Sequence, residues 1–163
     1  MKRTKLIFVL LILVKPALSL SQSNQGKFRQ QILRYNNVDT TYKFINSNDS
    51  TEIYLRYLGK IRTVKGSVFK VMTSTYIWGL SCRATNRMLF FNGKDQYIGN
   101  YYVTTTYDLP DKIENNEVIF LNKDKECDLT IMTRLNFDRG LPKQFFRKCK
   151  GNMGDIYSFS SSE

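Results

Sequence analysis

The stretch Met88–Val103, MLFFNGKDQYIGNYYV, decides the fold that the sequence predicts. It contains two runs of apolar and aromatic residues, separated by a short polar segment with Asn92-Gly93 at its start. Asn-Gly between two such runs is a strong local signal for a β-hairpin, because a type I′ turn requires positive φ at both central residues. The stretch therefore predicts two antiparallel strands joined by a tight turn.

Similar runs cover most of the chain. They are rich in β-branched and aromatic residues, which favour strands, and turn-forming residues separate them. Examples are TEIYLRYLG, SVFKVMT, TYIWGL and EVIFL. Such spacing favours an antiparallel sandwich or small barrel over alternating strands and helices. We predict a mainly β fold of roughly 8–10 short strands.

One segment follows a different period. In KFRQQILRY, the apolar residues Phe28, Ile32 and Tyr35 recur at the spacing of one helix face. The sequence therefore predicts one short N-terminal helix, from about Lys27 to Tyr35.

The first nineteen residues have the order of a secretory signal peptide. MKRTK is basic, LIFVLLILV is apolar, and Ala17 and Ser19 supply the small residues of a cleavage site. The apolar run is shorter than the roughly 20 residues that a membrane-spanning helix needs. We predict a signal peptide at 1–19, cleaved after Ser19 or Ser21, and a single β-rich domain at 20–163. The prediction is thus a secreted or periplasmic protein without a transmembrane helix after cleavage; an uncleaved anchor is the alternative.

The predicted mature chain is basic. The whole chain has 25 Lys and Arg against 14 Asp and Glu, and the leader carries four of the basic residues, so a net charge of +7 remains. A basic surface attracts anionic partners. Outside the cytoplasm these are acidic glycans, anionic lipids or acidic proteins, and nucleic acid is a weaker candidate. A basic surface with no anionic partner is the alternative.

The sequence contains no histidine. Ser-His-Asp and Cys-His catalysis are therefore excluded, as are histidine-based metal sites. NKDKECD at 122–128 alternates oxygen-bearing residues, but it lacks the glycine of a calcium loop, and we interpret it as a charged turn. Four carboxylates in YDLPDKIENNE could supply an acid and a base: Asp108, Asp111, Glu114 and Glu117. We predict no cofactor and no metal.

The three cysteines are Cys82, Cys127 and Cys149. An oxidising compartment favours a disulfide, and three cysteines leave one unpaired. We predict a Cys127–Cys149 disulfide, since both lie on segments that we interpret as neighbouring strands. It closes a loop that contributes about 3 kcal/mol in the chain-entropy model. Cys82 is then either a buried apolar residue, which we favour, or a thiol made reactive by Arg83.

The run QYIGNYYV supplies the first candidate binding residues. Strand alternation places Tyr97, Gly99, Tyr101 and Val103 on one face and Tyr102 on the other. A mid-strand glycine suggests a bulge or the close approach of another backbone. Exposed Tyr97, Tyr101 and Tyr102 could stack on sugar rings or anchor a protein partner. Cross-strand packing is the alternative.

The densest basic segment is RGLPKQFFRKCKG, residues 139–151. It supplies the remaining candidate binding residues: Lys143, Phe146, Arg147, Lys148 and Lys150. Cationic residues interleaved with aromatic ones suit an anionic lipid or polyanion. The alternative is a solvated edge strand that its lysines protect against aggregation.

These features together favour a non-enzymatic binding module, secreted or in the envelope, for a protein partner or an anionic glycan or lipid. One alternative is a small barrel that holds an apolar ligand. Another is a histidine-free hydrolase that uses carboxylates or Cys82. No motif is specific enough to indicate a family.

Overall fold

The computed structural model describes residues 19–46 and 50–161, with side chains described from Gln25 onward. These ranges contain one α-helix and ten antiparallel strands, which confirms the predicted mainly β fold. The helix is α1, Ser19–Tyr35, and the strands are β1 Thr41–Asn46, β2 Thr51–Arg62, β3 Val68–Trp78, β4 Arg83–Asn92, β5 Tyr97–Val103, β6 Lys112–Glu114, β7 Glu117–Leu121, β8 Met132–Asn136, β9 Gln144–Lys150 and β10 Met153–Ser161. Apart from Ser19, the predicted signal peptide lies outside the described residues.

The strands form two sheets that pack in a sandwich-like arrangement. The large sheet has the order β1-β2-β3-β4-β5-β10-β9, and the small sheet has the order β6-β7-β8. Buried aromatic side chains from both sheets fill the space between them, among them Phe90, Tyr101, Phe120 and Phe145. Burying each such ring contributes about 2 kcal/mol or more. The chain therefore adopts the sandwich form of the prediction, and the barrel alternative is not adopted.

Helix α1 covers part of the opposite, outer face of the large sheet. Its residues Ile32 and Leu33 are buried against Leu55, Met72 and Leu89 in a second apolar core. The helix ends at Tyr35, as predicted, but it begins at Ser19. The sequence does not indicate this early start, because SLSQSNQG has no apolar residues that recur at helical spacing. The helix leaves the outer face of β10 and β9 exposed.

The β4–β5 hairpin forms as predicted, but its turn is of another type. The amide of Asp95 donates to the carbonyl of Asn92 (3.0 Å), and Asp95, not Gly93, has positive φ. This is a three-residue loop with one left-handed residue. The side-chain oxygen of Asn92 accepts from the amides of Lys94 (2.9 Å) and Gln96 (3.1 Å), and these bonds stabilise the longer loop. Positive φ at two successive residues, typical of a type I′ turn, occurs instead at Asn115-Asn116 between β6 and β7.

A bulge in β5 reassigns the faces of its tyrosines. Phe90 pairs with Gly99 and Phe91 pairs with Tyr97, so that Ile98 is an extra residue. The bulge suggested by Gly99 is therefore confirmed. The prediction that Tyr97 and Tyr101 share a face is wrong, because the extra residue shifts the alternation by one. Tyr97 packs on the helix side, and Tyr101 enters the core between the sheets.

The disulfide Cys127–Cys149 is present, as predicted, and it joins the β7–β8 loop to β9. Next to it, the side-chain amide of Asn122 donates to the carbonyls of Asp128 (2.9 Å) and Cys149 (3.0 Å). The loop therefore lies against the outer edge of β9. The favoured prediction for Cys82, a buried side chain, is wrong. It is exposed because it lies in the β3–β4 loop, away from both cores.

A buried ion pair links β9 to the segment between β5 and β6, and the same arginine also contacts β7 of the small sheet. Arg147 of β9 is 4% exposed, and its Nη1 donates to Oδ1 of Asp108 (2.6 Å). Its Nη2 donates to the carbonyls of Tyr107 (3.0 Å) and Leu121 (3.1 Å). The second carboxylate oxygen of Asp108 accepts from the amide and hydroxyl of Thr105, both at 2.9 Å. The prediction that Arg147 binds an external partner is therefore wrong, because its charge is used inside the protein.

Asp108→Asn tests this ion pair. It keeps the volume of the side chain but leaves the buried Arg147 charge without its counter-ion, so we expect a loss of about 3 kcal/mol in the free energy of unfolding. Urea denaturation at pH 7 measures it. The control is Glu114→Gln, which removes an exposed partner of Lys112 and should lower the free energy of unfolding far less, because solvent screens exposed ion pairs. Equal losses for both variants would show that the ion pair does not hold the sheets together.

Gly99→Ala tests the bulge. A Cβ at Gly99 would clash with the carbonyl of Ser160 on β10, and the residue has a φ of +148°. We expect a loss of about 1–3 kcal/mol in the free energy of unfolding, measured by urea denaturation at pH 7. Gly26→Ala, where a Cβ meets nothing within 4 Å on a helix, should instead stabilise by about 0.5–1 kcal/mol. A neutral Gly99→Ala would mean that β10 does not approach β5 this closely.

Candidate binding surface on the outer sheet face

The candidate surface lies on the outer face of the β9–β10 hairpin. Strand alternation places it there: Phe145, Arg147 and Tyr157 point into the protein, so their neighbours point outward. We call the exposed apolar and cationic residues of this hairpin the ribbon surface: Phe146, Lys148, Lys150, Met153 and Ile156. Phe146 lies directly opposite Ile156, and Lys150 lies opposite Met153. The register shifts by one residue at Cys149, so alternation places Phe146, Ile156 and Lys148 on one outer face, while Lys150 and Met153 are exposed at the end of the hairpin beyond the bulge.

The ring of Phe146 is exposed yet held in place. It is 46% exposed, and its neighbour Ile156 is 63% exposed. Gly154 lies opposite Lys148, and a Cβ on Gly154 would approach the Phe146 ring to 2.7 Å. The ring thus lies across the backbone of β10, where only glycine leaves room for it. A fixed exposed ring loses little conformational entropy when a partner covers it.

The cations of the ribbon surface are available to a partner. In the described part of the chain, neither Lys148 nor Lys150 forms an ion pair within 4 Å. Asp128 is the nearby acid. Hydrogen bonds from Thr130 are the main cause that lowers the pKa of Asp128, and the charges of the two lysines lower it further. The Asp128 carboxylate is thus hydrogen-bonded to Thr130, and the two lysines give this surface a net positive charge.

The structure divides the residues that the sequence analysis proposed for binding. Lys143, Phe146, Lys148 and Lys150 are all exposed and lie along β9 or next to its start. Tyr102 on the neighbouring β5 is also exposed (54%). These five residues all face solvent.

Two of the proposed tyrosines have other environments. Tyr101 is fully buried, its hydroxyl donates to the carbonyl of Pro142 (2.5 Å), and burial raises its pKa strongly. Its predicted binding role is wrong, because no partner can reach it. Tyr97 is half-buried beside α1, with Arg29 over its ring at 5.6 Å. Tyr97 therefore belongs to a separate groove next to the helix.

Sequence reasoning missed Met153 and Ile156. Both lie on β10, outside the two segments, QYIGNYYV and RGLPKQFFRKCKG, that supplied the candidate binding residues. A signal was available: if Tyr157 and Phe159 point inward, alternation places Ile156 outward. An exposed isoleucine opposite an exposed phenylalanine is the apolar centre of the ribbon surface, and apolar centres with polar rims are typical of interfaces.

The carboxylates proposed for a hydrolase are each matched with a cation. The pairs are Asp108–Arg147, Asp111–Lys123, Glu114–Lys112 and Glu117–Arg134. Such pairing favours stabilising roles over acid–base work. Cys82 lies on a loop tip next to Leu80, which is fully exposed, and this position does not resemble the deep cleft that a thiol hydrolase requires.

The segment NKDKECD forms a charged loop, consistent with its interpretation from sequence. The Asp124 carboxylate accepts from the amide of Glu126 (3.0 Å), and that of Asp128 accepts from Thr130. In residues 19–46 and 50–161, no three His, Cys, Asp or Glu side chains converge in a group that could hold a metal ion.

The described part of the chain contains no helix that is long and apolar enough to cross a membrane. Comparison of the chain with protein-family models, with curated proteins and with solved structures finds no match.

Proposed function

We propose that this protein is a non-enzymatic binding module, secreted or held in the cell envelope, whose partner is an anionic polymer. One observation carries the proposal: the exposed Phe146 ring lies fixed on the same strand face as Lys148, and Lys150 is exposed at the end of the strand; neither lysine forms an ion pair among the described residues. A carbohydrate or polypeptide chain can place a ring or apolar group on Phe146 while its charges approach the ammonium groups.

The geometry of β9 supports an extended partner. Lys148 and Lys150 are both exposed near the end of β9, on either side of the bulge at Cys149. A polymer with repeated negative charges can therefore approach both lysines at once. The exposed Ile156 and Met153 extend the apolar part of the same surface.

Two further features support a location outside the cytoplasm. Disulfides such as Cys127–Cys149 form and persist in oxidising compartments. The basic and apolar order of the first nineteen residues is typical of a signal peptide. In such a location, acidic glycans are the abundant polymers of this charge.

Salt elution from immobilised polygalacturonate tests the proposal. The protein exported from cells that express the full chain is compared with Lys148→Gln/Lys150→Gln. We expect the variant to elute at a clearly lower salt concentration, because two charge contacts with the polymer are lost. Phe146→Ala should also elute earlier, with no change in net charge.

The matched control is Lys60→Gln/Lys65→Gln. Both lysines are exposed on or next to β2, far from β9 in the sheet order, and the variant has the same net charge as the test variant. If both double variants elute together, retention reflects net charge alone and the ribbon surface is not the binding surface. If the parent protein is not retained, the proposed anionic partner is wrong.

A further inference from the structure

A groove lies between α1 and the β4–β5 hairpin, on the same outer face as the ribbon surface. It has a volume of about 500 Å³, within the range of ligand-binding cavities. Its lining residues are polar, cationic or aromatic: Gln25, Gly26, Arg29, Gln30, Arg87, Phe91, Tyr97 and Asn100. None of these residues is acidic. We call it the α1 groove.

Two arginines face the α1 groove without a counter-ion. Arg29 comes from the helix and Arg87 from β4, and neither forms an ion pair within the described residues. Burial lowers the pKa of Arg29, Tyr97 raises it, and the charge of Arg87 lowers it. Two like charges in a partly desolvated groove repel each other, so an anion placed between them would be stabilised by both.

The hydrogen bonds of Arg29 are incomplete. Its Nη2 donates to the side-chain oxygen of Gln25 (3.1 Å), whereas its Nε is buried and has no hydrogen-bond partner in the described part of the protein. A buried donor without a partner is costly, and a guanidinium has five N–H donors in a fixed plane. The Arg29 side chain is therefore incompletely satisfied by the protein alone.

The remaining lining favours a sugar over a lipid headgroup or a simple ion. The amides of Gln30 and Asn100 each use their NH₂ group within the protein, on Asp95 (2.6 Å) and Tyr97 (2.8 Å) respectively. Their carbonyl oxygens are the kind of acceptor that hydroxyl groups need. The half-buried ring of Tyr97 provides an apolar surface for a pyranose, and the buried ring of Phe91 packs against Tyr97.

We propose that the α1 groove binds a carboxylated sugar residue of an acidic glycan. The carboxylate lies between the guanidinium groups of Arg29 and Arg87, which match its planar geometry. The hydroxyl groups donate to the amide oxygens of Gln30 and Asn100.

The position of the groove connects it with the ribbon surface. Arg87 is directly opposite Tyr102 in the β4–β5 pair, and β10 adjoins β5 on its other side. A glycan chain that leaves the groove can therefore pass Tyr102 toward Phe146 and the lysines. The inference rests on the proposed function in this respect: it identifies the anionic polymer as a carboxylated glycan.

Calorimetric titration with trigalacturonate at low salt tests the inference. We expect a dissociation constant below about 1 mM for the exported protein, and binding at least tenfold weaker for Arg87→Gln. Arg34→Gln is the matched control, since Arg34 is an exposed arginine in the last turn of the same helix. The affinity of this variant for trigalacturonate should stay within twofold of that of the parent protein. The methyl ester of trigalacturonate, which has no charge, should bind at least tenfold more weakly.

Asn100→Asp provides a second test that does not depend on the loss of an arginine. The new carboxylate supplies a counter-ion to the two arginines, so we expect a raised melting temperature together with loss of trigalacturonate binding. Such a result cannot come from a folding defect. Unchanged trigalacturonate binding in Asn100→Asp would overturn the inference.

Several other outcomes would overturn it. Two concern trigalacturonate: equal affinities for the acid and its methyl ester, or equal affinities of Arg87→Gln and Arg34→Gln for the acid. Two concern other anions: sulfate that binds as tightly as trigalacturonate, or anionic vesicles that bind through Arg87 more tightly than the sugar does. Lys148→Gln/Lys150→Gln separates the two proposals: it should weaken retention on the polymer and leave trigalacturonate binding intact. Loss of groove binding alone would leave the proposed function standing.

Discussion

The buried ion pair between Arg147 and Asp108 is the constraint on which the rest of the structure depends. A guanidinium enters a protein core only when its charge and its donors are satisfied. Here Asp108 neutralises the charge, and the carbonyls of Tyr107 and Leu121 accept further hydrogen bonds. These acceptors belong to the segment before β6 and to the end of β7, so one side chain of β9 holds the chain that forms the small sheet.

The same constraint sets the direction of the neighbouring side chains. Because Arg147 must point inward, alternation turns Phe146 and Lys148 outward. The exposed ring and the adjacent ammonium group are therefore a consequence of the core arrangement on the other side of the strand. The binding surface and the connection between the sheets are two faces of one short strand.

The bulge at Ile98 has a comparable effect on β5. Without the extra residue, Tyr97 and Tyr101 would share a face, and the ring of Tyr97 would be directed into the core. With it, Tyr97 lies beside Arg29 and Arg87 in the α1 groove, while Tyr101 packs between the sheets. One added residue thus directs Tyr101 into the core between the sheets and Tyr97 into the lining of the groove.

Local sequence patterns were sufficient for the mainly β fold, for the β4–β5 hairpin and for the end of α1 at Tyr35, whereas SVFKVMT and TYIWGL, given as separate runs, form the single strand β3. The same patterns also identified the Cys127–Cys149 disulfide, although Cys127 lies in the β7–β8 loop and not on a strand next to β9 as the prediction assumed. The patterns failed where partners distant in sequence decide the outcome. Nothing around Arg147 shows that Asp108, 39 residues earlier, will neutralise it.

The candidate sites were less accessible to sequence reasoning than the fold. Lys148, Lys150 and Phe146 could be selected because charge and aromatic content are local properties. Arg29 and Arg87 could not, because they are 58 residues apart in the chain and only the packing of α1 on the sheet makes them neighbours. The start of α1 at Ser19 was missed for a simpler reason. The first turns of the helix are mainly polar, so they show no apolar residues at helical spacing.

The loop that the disulfide fastens to β9 also limits how copies of this chain can associate. The amide of Asp128 donates to the carbonyl of Cys149 (2.9 Å), and the side chain of Asn122 reaches the carbonyls of Lys148 and Cys149. One edge of the large sheet is thereby occupied, whereas β1 has no neighbouring strand on its outer side within the described chain. Edge-to-edge pairing of large sheets through β1 would therefore end at two copies and could not propagate into a filament.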